Sequence, residues 1–526
     1  MTEQSSPAPA KKTSATPLHL LLAFILGLGF VFLVFRGGWS LGLFLAVLLT
    51  EAVFLGWLLL PWRGSPLPGE SEKRKAALPV QIVLAAAIID LGLCMFLYDN
   101  IPLKILNVLA LLVLCPVQYL LASRVFNRDW DQPLFWLEAV VSFFVRPFSR
   151  LGAFAQTLQS LFRRKNFDDS TEPAKHTAGK VLLGLLLAVP VLLISGSLLA
   201  ASDQVFAQIT GQFWQQLSLN ELIIQIAVAL VLMPFIFSFL YSGRSQENLL
   251  FQSGLSAAGA PPKTKGLRID KTILISFLTC INLLYLVFAA IQITYLTGAF
   301  QAVLPADLTY SEYARSGFFE LLGVSLINLI LILLTVKGSD RHSAAGVVLR
   351  IESLLLIAGS LVQWSSAMFR MKMYVDSYGL TLLRFWVTAF MLLILAIFLL
   401  LLAKEFASGF PLFKSCAAAI ILSLLLLNHV NSDAWIARYN INLYQATGRL
   451  DTAHFNELSD AAVPAMLELI DLSDPVAAAE ISSQLISRYQ YLEGYAGEHW
   501  QQLNVSQEAA RGMIENRYDA INMTIN

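Results

Sequence analysis

Eleven stretches of this chain are apolar for long enough to cross a lipid bilayer, and little else could decide its fold so firmly. A bilayer core ~30 Å thick takes about 17–25 residues in helical form. The runs cover residues 18–35, 39–60, 80–98, 103–122, 181–201, 222–241, 272–296, 318–336, 347–369, 380–402 and 413–428. In lipid every backbone polar group needs a partner inside the protein, so helices are the expected form. Membrane β-strands would show alternation over ~10 residues, and these runs do not alternate. Composition agrees, with 56% hydrophobic and only 14% charged residues. A soluble domain needs about 25% charged residues to cover its surface. The expected fold class is all-α: a polytopic transmembrane helix bundle of about eleven spans, set in a lipid bilayer.

Lys11 and Lys12 precede the first run, as in a signal peptide. The run instead meets Arg36-Gly37-Gly38-Trp39, with no small-residue cleavage site, so it reads as a retained span. Alternate loops carry 25 Lys+Arg on one side and 6 on the other before the tail. Basic loops stay in the cytoplasm, which places the N-terminus there and, with eleven spans, sends the C-terminus outside. Three regions follow: a flexible cytoplasmic tail over 1–17, a membrane domain over 18–429, and an acidic helical extracytoplasmic domain over 430–526. That last region has 97 residues, with 13 Asp+Glu against 5 Lys+Arg. Helices are expected there over 460–472, 476–494 and 506–522. Pro475 suits a first helical turn, and Ser506 is the expected cap of the last helix. Low-complexity stretches at the N-terminus and over 257–265 read as linkers.

Between the fourth and fifth spans, Phe148, Leu151, Phe154, Leu158 and Phe162 recur at helical spacing, with Arg150, Gln156 and Arg163 opposite. The expectation is an amphipathic helix near 134–165 on the inner membrane surface, either binding anionic lipid or serving as an ordinary elbow. On the other side, Phe206, Ile209, Phe213, Trp214 and Leu217 form an apolar stripe without basic residues, expected as a lid or interfacial anchor.

Ionisable residues within spans carry most of the functional information. Glu51 and Asp90 lie near the middle of consecutive runs, where two carboxyls sharing a low-dielectric site could not both ionise. Either they form a proton- or cation-coupled site or each is a packed, hydrogen-bonded acid. A second group gathers at the outer ends of the eighth to tenth runs: Arg315, Glu320, Arg370 and Arg384, with Tyr374 and Tyr378 in the turn between. It fits an anion or headgroup site, snorkelling side chains, or a pair of Glu320 with Arg384 or Arg370. Arg350 and Glu352 read as a boundary pair.

Phosphate-loop, HExxH and nucleophile-elbow motifs are absent, and the six histidines have no metal-ligand spacing. Cys94, Cys115, Cys280 and Cys416 all sit inside apolar runs, as buried free thiols do. No catalytic residue, cofactor or metal is expected. With 36 basic and 36 acidic residues, the chain has no basic excess for nucleic acid. The readings left are an envelope sensor or scaffold whose tail meets an external protein partner, or an ion- or proton-coupled transporter using Glu51 and Asp90.

Several stretches resemble a family of bacterial multi-spanning membrane proteins classified as a domain of unknown function. They are Glu312-Tyr313-Ala314-Arg315-Ser316-Gly317-Phe318-Phe319-Glu320-Leu321, then Arg370-Met371 with Tyr374, Tyr378-Gly379-Leu380-Thr381 and Arg384. Past the last run come Ile436-Ala437-Arg438-Tyr439-Asn440-Ile441, Thr447-Gly448 with Leu450-Asp451, and Leu458-Ser459-Asp460-Ala461-Ala462-Val463-Pro464. The resemblance covers the second half of the chain and implies a bacterial inner-membrane protein, with no activity to carry over.

Overall fold

The computed structural model describes residues 17–35, 38–59, 70–122, 130–162, scattered positions between 195 and 208, 221–242, 271–300, 318–338, 343–407, 409–495 and 499–525. Among them there is no strand. Before the tail, the elements bounded among the described residues are α1 Pro17–Val34, α2 Leu41–Leu59, α3 Glu70–Leu97, α4 Ile101–Ala122, α5 Pro133–Ser149, α6 Leu151–Phe162, α7 Glu221–Ser242, α8 Lys271–Phe300, α9 Phe318–Gly338, α10 Ala344–Tyr378, α11 Leu382–Phe406 and α12 Leu412–His429. Seven are long and apolar enough to cross a membrane, in α3, α4, α7, α8, α10, α11 and α12. Leu18–Val34, Leu41–Trp57 and Gly323–Leu333 are shorter apolar helices. Ten of the eleven runs thus coincide with described helices. The run over 181–201, the expected lid and the linkers fall wholly or largely outside the described residues.

Two groups of helices build the bundle. In the first, α1 to α4 pack each against the next, and α7 lies along α1. Trp57, Ile88, Leu91, Leu120, Phe135 and Leu240 are its fully or nearly buried core. Close approach of α1 and α7 needs a small residue: a Cβ on Gly27 would stand 3.3 Å from the Ala229 carbonyl oxygen. In the second group α8, α9 and α11 surround α10 around Leu278, Ile332, Leu356 and Phe398. Helix α12 touches α3, α4 and α11 and so bridges the two groups.

The expected surface helix is two helices, broken at Arg150 (φ −131°, ψ 27°). The side chain of Ser238 in α7 repairs the ladder: its hydroxyl accepts from the Arg150 N–H and donates to the Arg146 carbonyl, both at 2.9 Å. A neighbouring span thereby satisfies backbone groups that a membrane would leave unpaired. The apolar face is partly absorbed by the bundle, since Phe154 is buried with Leu20, Ala23 and Phe237. Phe144 and Phe148 stay exposed.

Beyond α12 follow α13 Ser432–Thr447, 3-10 helices at Thr452–Glu457 and Asp460–Ala462, α14 Val463–Leu472, α15 Pro475–Tyr495, a 3-10 turn at Trp500–Gln502, α16 Val505–Glu515 and α17 Tyr518–Ile525. Helix α13 was not among the helices expected there, because its sequence mixes polar and apolar residues without a clean stripe. Pro475 does begin α15, with Asp474 Oδ1 accepting from the N–H groups of Val476 and Ala477. The cap of α16 is Asn504 rather than Ser506. Its Oδ1 accepts from the Ser506 and Gln507 N–H groups, which puts Ser506 inside the first turn. Ile436, Phe455, Val463, Met466, Ile481 and Ile514 form the buried core of this region, and Leu380 and Phe385 join it from the bundle.

Helix α10 has 35 residues, ~52 Å at 1.5 Å per residue, far more than a ~30 Å core requires. Its last turn leads into the α10–α11 turn, which meets the tail at Asn440.

Candidate functional site

Three turns of the bundle meet the tail. At the α1–α2 turn, the Leu41 N–H donates to the Leu503 carbonyl at 3.1 Å, and Gln501 Nε2 donates to the Phe32 carbonyl at 3.4 Å. At the α3–α4 turn, Asn504 Nδ2 donates to the carbonyls of Met95 and Tyr98, each at 3.1 Å. There too Asn100 Nδ2 donates to both oxygens of Asp433 at 3.0 Å, and Gln507 Nε2 to Asp99 Oδ2 at 3.0 Å. At the α10–α11 turn, the Asn440 amide accepts from the Leu380 N–H at 2.9 Å and donates to the Leu380 carbonyl at 2.7 Å. The Tyr439 hydroxyl donates to Asp376 Oδ1 at 3.2 Å; burial and the Asp376 charge push that phenol above its ordinary range.

Charge gathers at the middle of this junction. Asp433 is buried and also accepts from the Ser432 hydroxyl and the Ser459 N–H. Lys104 pairs with Asp99 at 2.5 Å. Arg488 pairs with Asp460 at 3.2 Å and donates to the Leu458 carbonyl. Burial pushes the Asp460 carboxyl above its usual range; Arg488 and Lys104 oppose the rise and Asp99 adds to it. Buried ions are tolerated only when paired and hydrogen-bonded. This network meets that condition with side chains from both the bundle and the tail.

Beside it lies a second group. His429, the last residue of α12, places Nε2 3.1 Å from both carboxylate oxygens of Asp90 in α3. Cys94 Sγ is 4.0 Å from the same nitrogen. Asp90 and Cys94 share a helix face because they are four residues apart. Next to His429, Asn428 and Asn107 of α4 exchange side-chain amide bonds at 2.7 and 2.8 Å.

Glu51 and Asp90 have different partners. Buried Glu51 accepts from Gln118 Nε2 of α4 at 2.9 Å, whereas Asp90 faces His429, at the tail end of its span. Of the charged group expected at the outer ends, Arg384 is brought to Tyr374 and Tyr378. Its guanidinium donates to the carbonyls of Tyr378 and Gly379 and stacks 4.0 Å from the Tyr374 ring centroid. Arg370 lies on α10, about two turns before its end. Arg315 and the side chain of Glu320 lie outside the described residues.

Glu352, expected as a boundary residue, carries more than that. Helix α10 begins at Ala344, so Glu352 lies over two turns inside it. It accepts from Thr279 Oγ1 at 2.7 Å and Asn282 Nδ2 at 2.6 Å. Further along the same helix, Ser353 donates to Glu405 Oε1, and Asn328 Nδ2 donates to Ser360 and Gln363. All six of Asn282, Asn328, Glu352, Ser360, Gln363 and Glu405 are buried. The signal available in sequence was their spacing: 353, 360 and 363 fall on one helical face.

The residues thus make an integral membrane protein with a polar, buried seam where its C-terminal helices meet its spans. No curated protein and no solved structure matches the chain. A family model does match, from α3 through α14, and so takes in Asp90, Cys94, Asn100, His429, Asp433 and Asn440. Over residues 85–469 the chain belongs to the family described as Domain of unknown function (DUF4153).

Proposed function

We propose that this protein is a sensor or scaffold of the bacterial cell envelope, without catalytic activity. It sits multi-pass in the cytoplasmic membrane with about eleven spans, its N-terminus cytoplasmic and residues 430–526 an extracytoplasmic domain. The observation that carries this reading is the junction: one tail holds three turns from different parts of the bundle through polar contacts, buried at the α3–α4 turn and partly buried at the other two. A protein partner that shifts the tail therefore has a stiff route to α3, α10 and α12. Arg384 with Tyr374 and Tyr378 borders the face that such a partner would approach. Near α5 and α6, Arg150, which keeps some exposure, is the described basic residue that would meet anionic lipid, while Arg146 is buried.

The test uses Cys416 as the sole thiol. It lies near the end of α12 away from the tail, ~20 Å from His429 at 1.5 Å per residue. Asn440→Ala should change its maleimide labelling rate severalfold in membranes if the tail is coupled to the spans. An unchanged rate, with the tail demonstrably loosened, would mean that the tail is an inert cap.

A second reading, an ion- or proton-coupled permease, draws on the buried carboxyls Glu352 and Glu405 together with Glu51 and Asp90. Buried acids held by neutral amides and hydroxyls are the groups that exchange protons or cations within a membrane. Proteoliposome flux lost in Glu352→Gln would favour it over the sensor.

A further inference from the structure

We propose that Asp90, Cys94 and His429 form a binding site for a divalent transition metal of the zinc class, which ties α3 to the last residue of α12. The three side chains supply a carboxylate, a thiolate and an imidazole, the donor types that bind zinc at about 2.0–2.3 Å. Donors on a tetrahedral ion of that radius stand about 3.3–3.8 Å apart. Here His429 Nε2 is 3.1 Å from the Asp90 oxygens and 4.0 Å from Cys94 Sγ, and the donor atoms all lie within 4.8 Å of one another. Small rotamer adjustments bring that set onto one ion.

The frame is already fixed. Asp90 and Cys94 project from successive turns of one helix, so their separation is set by the backbone. His429 is held by its neighbour, since Asn428 is locked to Asn107 by two amide bonds. Asp433, four residues further and in the first turn of α13, is locked to Asn100. Cys94 is buried while His429 is exposed, which leaves a closed inner side and an open approach for the ion. Three protein donors leave a fourth position for water, as in open zinc sites. Without a metal the same residues make a His–Asp pair beside an inert thiol, which is the competing outcome.

The site goes beyond the signalling reading and does not depend on it: metal uptake is measured whether or not the tail transmits anything. Full-length protein in detergent is stripped with chelator and titrated with zinc against a chromophoric competitor. One equivalent per chain is expected. Asp90→Asn, Cys94→Ser and His429→Asn should each weaken binding by at least ~100-fold, the upper end of what losing even an outer-shell partner costs. Cys280→Ser and His454→Asn should leave it unchanged. Cobalt gives a second reading on the wild type alone, so a variant that misfolds does not spoil the test. A thiolate-to-cobalt band with tetrahedral visible bands is expected. The proposal is overturned if excess zinc leaves the wild-type protein metal-free, if the three substitutions bind like wild type, or if cobalt shows no thiolate band.

Discussion

The side-chain amide of Asn440 holds both backbone hydrogen-bonding groups of Leu380, sixty residues earlier in the chain. The turn it clamps contains Gly379 at φ 78°, where a Cβ would stand 2.6 Å from Asn440 Oδ1. Asn440→Ala leaves a buried N–H and C=O unpaired, at a cost of about 1–3 kcal/mol per group. Gly379→Ala adds backbone strain of about 1–3 kcal/mol and the clash with Asn440. The double variant should be less destabilised than the sum of the two, because removing the amide removes the clash. Chemical unfolding in mixed micelles measures all three.

The pair between Arg488 and Asp460 is mostly buried, with side-chain exposures of 12% and 8%. Arg488→Met strands the Asp460 charge, and removing one partner of a buried pair costs roughly 3–5 kcal/mol. Arg511→Met, which breaks exposed contacts to Glu508 and Glu515, should change little. Thermal melts of the two variants separate the cases; equal small shifts would show that the first pair is solvated.

The raised affinity of Asp460 for its proton fixes the sign of one pH effect. Between the ordinary carboxylate range and its raised folded value, the folded chain holds a proton that the unfolded chain has released. Stability from this group is therefore greatest in acid and declines as pH rises through that window, then levels off. Asp460→Asn should remove this declining component from a plot of unfolding free energy against pH. The remaining slope comes from other groups, so the difference between the two curves is the measurement.

Membrane topology follows from charge. Alkaline phosphatase fused after Asn526 or within 202–219 should be active, and after Lys165 or Ala258 inactive, because the basic loops stay in the cytoplasm. An inactive fusion at Asn526 would reverse the tail and change the span count by an odd number.

Much of the bundle is legible in sequence because lipid leaves a helix few alternatives, and apolar length alone marks where one starts and stops. The seam is less legible. Asp90 and Glu51 stand out as acids inside apolar runs, but the residues that answer them do not. His429 follows an apolar run as any terminal residue does, and its neighbour Asn428 gains meaning only opposite Asn107. Glu352 looks like a boundary residue until α10 is seen to start at Ala344. Asn440 and Asn100 are ordinary amides in sequence, and their roles come from a fold that brings Asn100 to Asp433, 333 positions away, and Asn440 to Leu380, 60 positions away. Ser506 shows the same limit at short range: it has the right chemistry for a cap, and Asn504 has the right place.

Hydrogen exchange at two bundle amides tests most directly whether the tail is docked. The N–H groups of Leu41 and Leu380 donate to Leu503 and Asn440, both in the tail. In lipid nanodiscs, peptides covering 38–44 and 376–384 should be protected at these positions, and Asn440→Ala should release Leu380 while leaving Leu41 slow. Exchange of both amides at the rate of an open loop in the wild-type protein would contradict a docked tail and the coupling built on it.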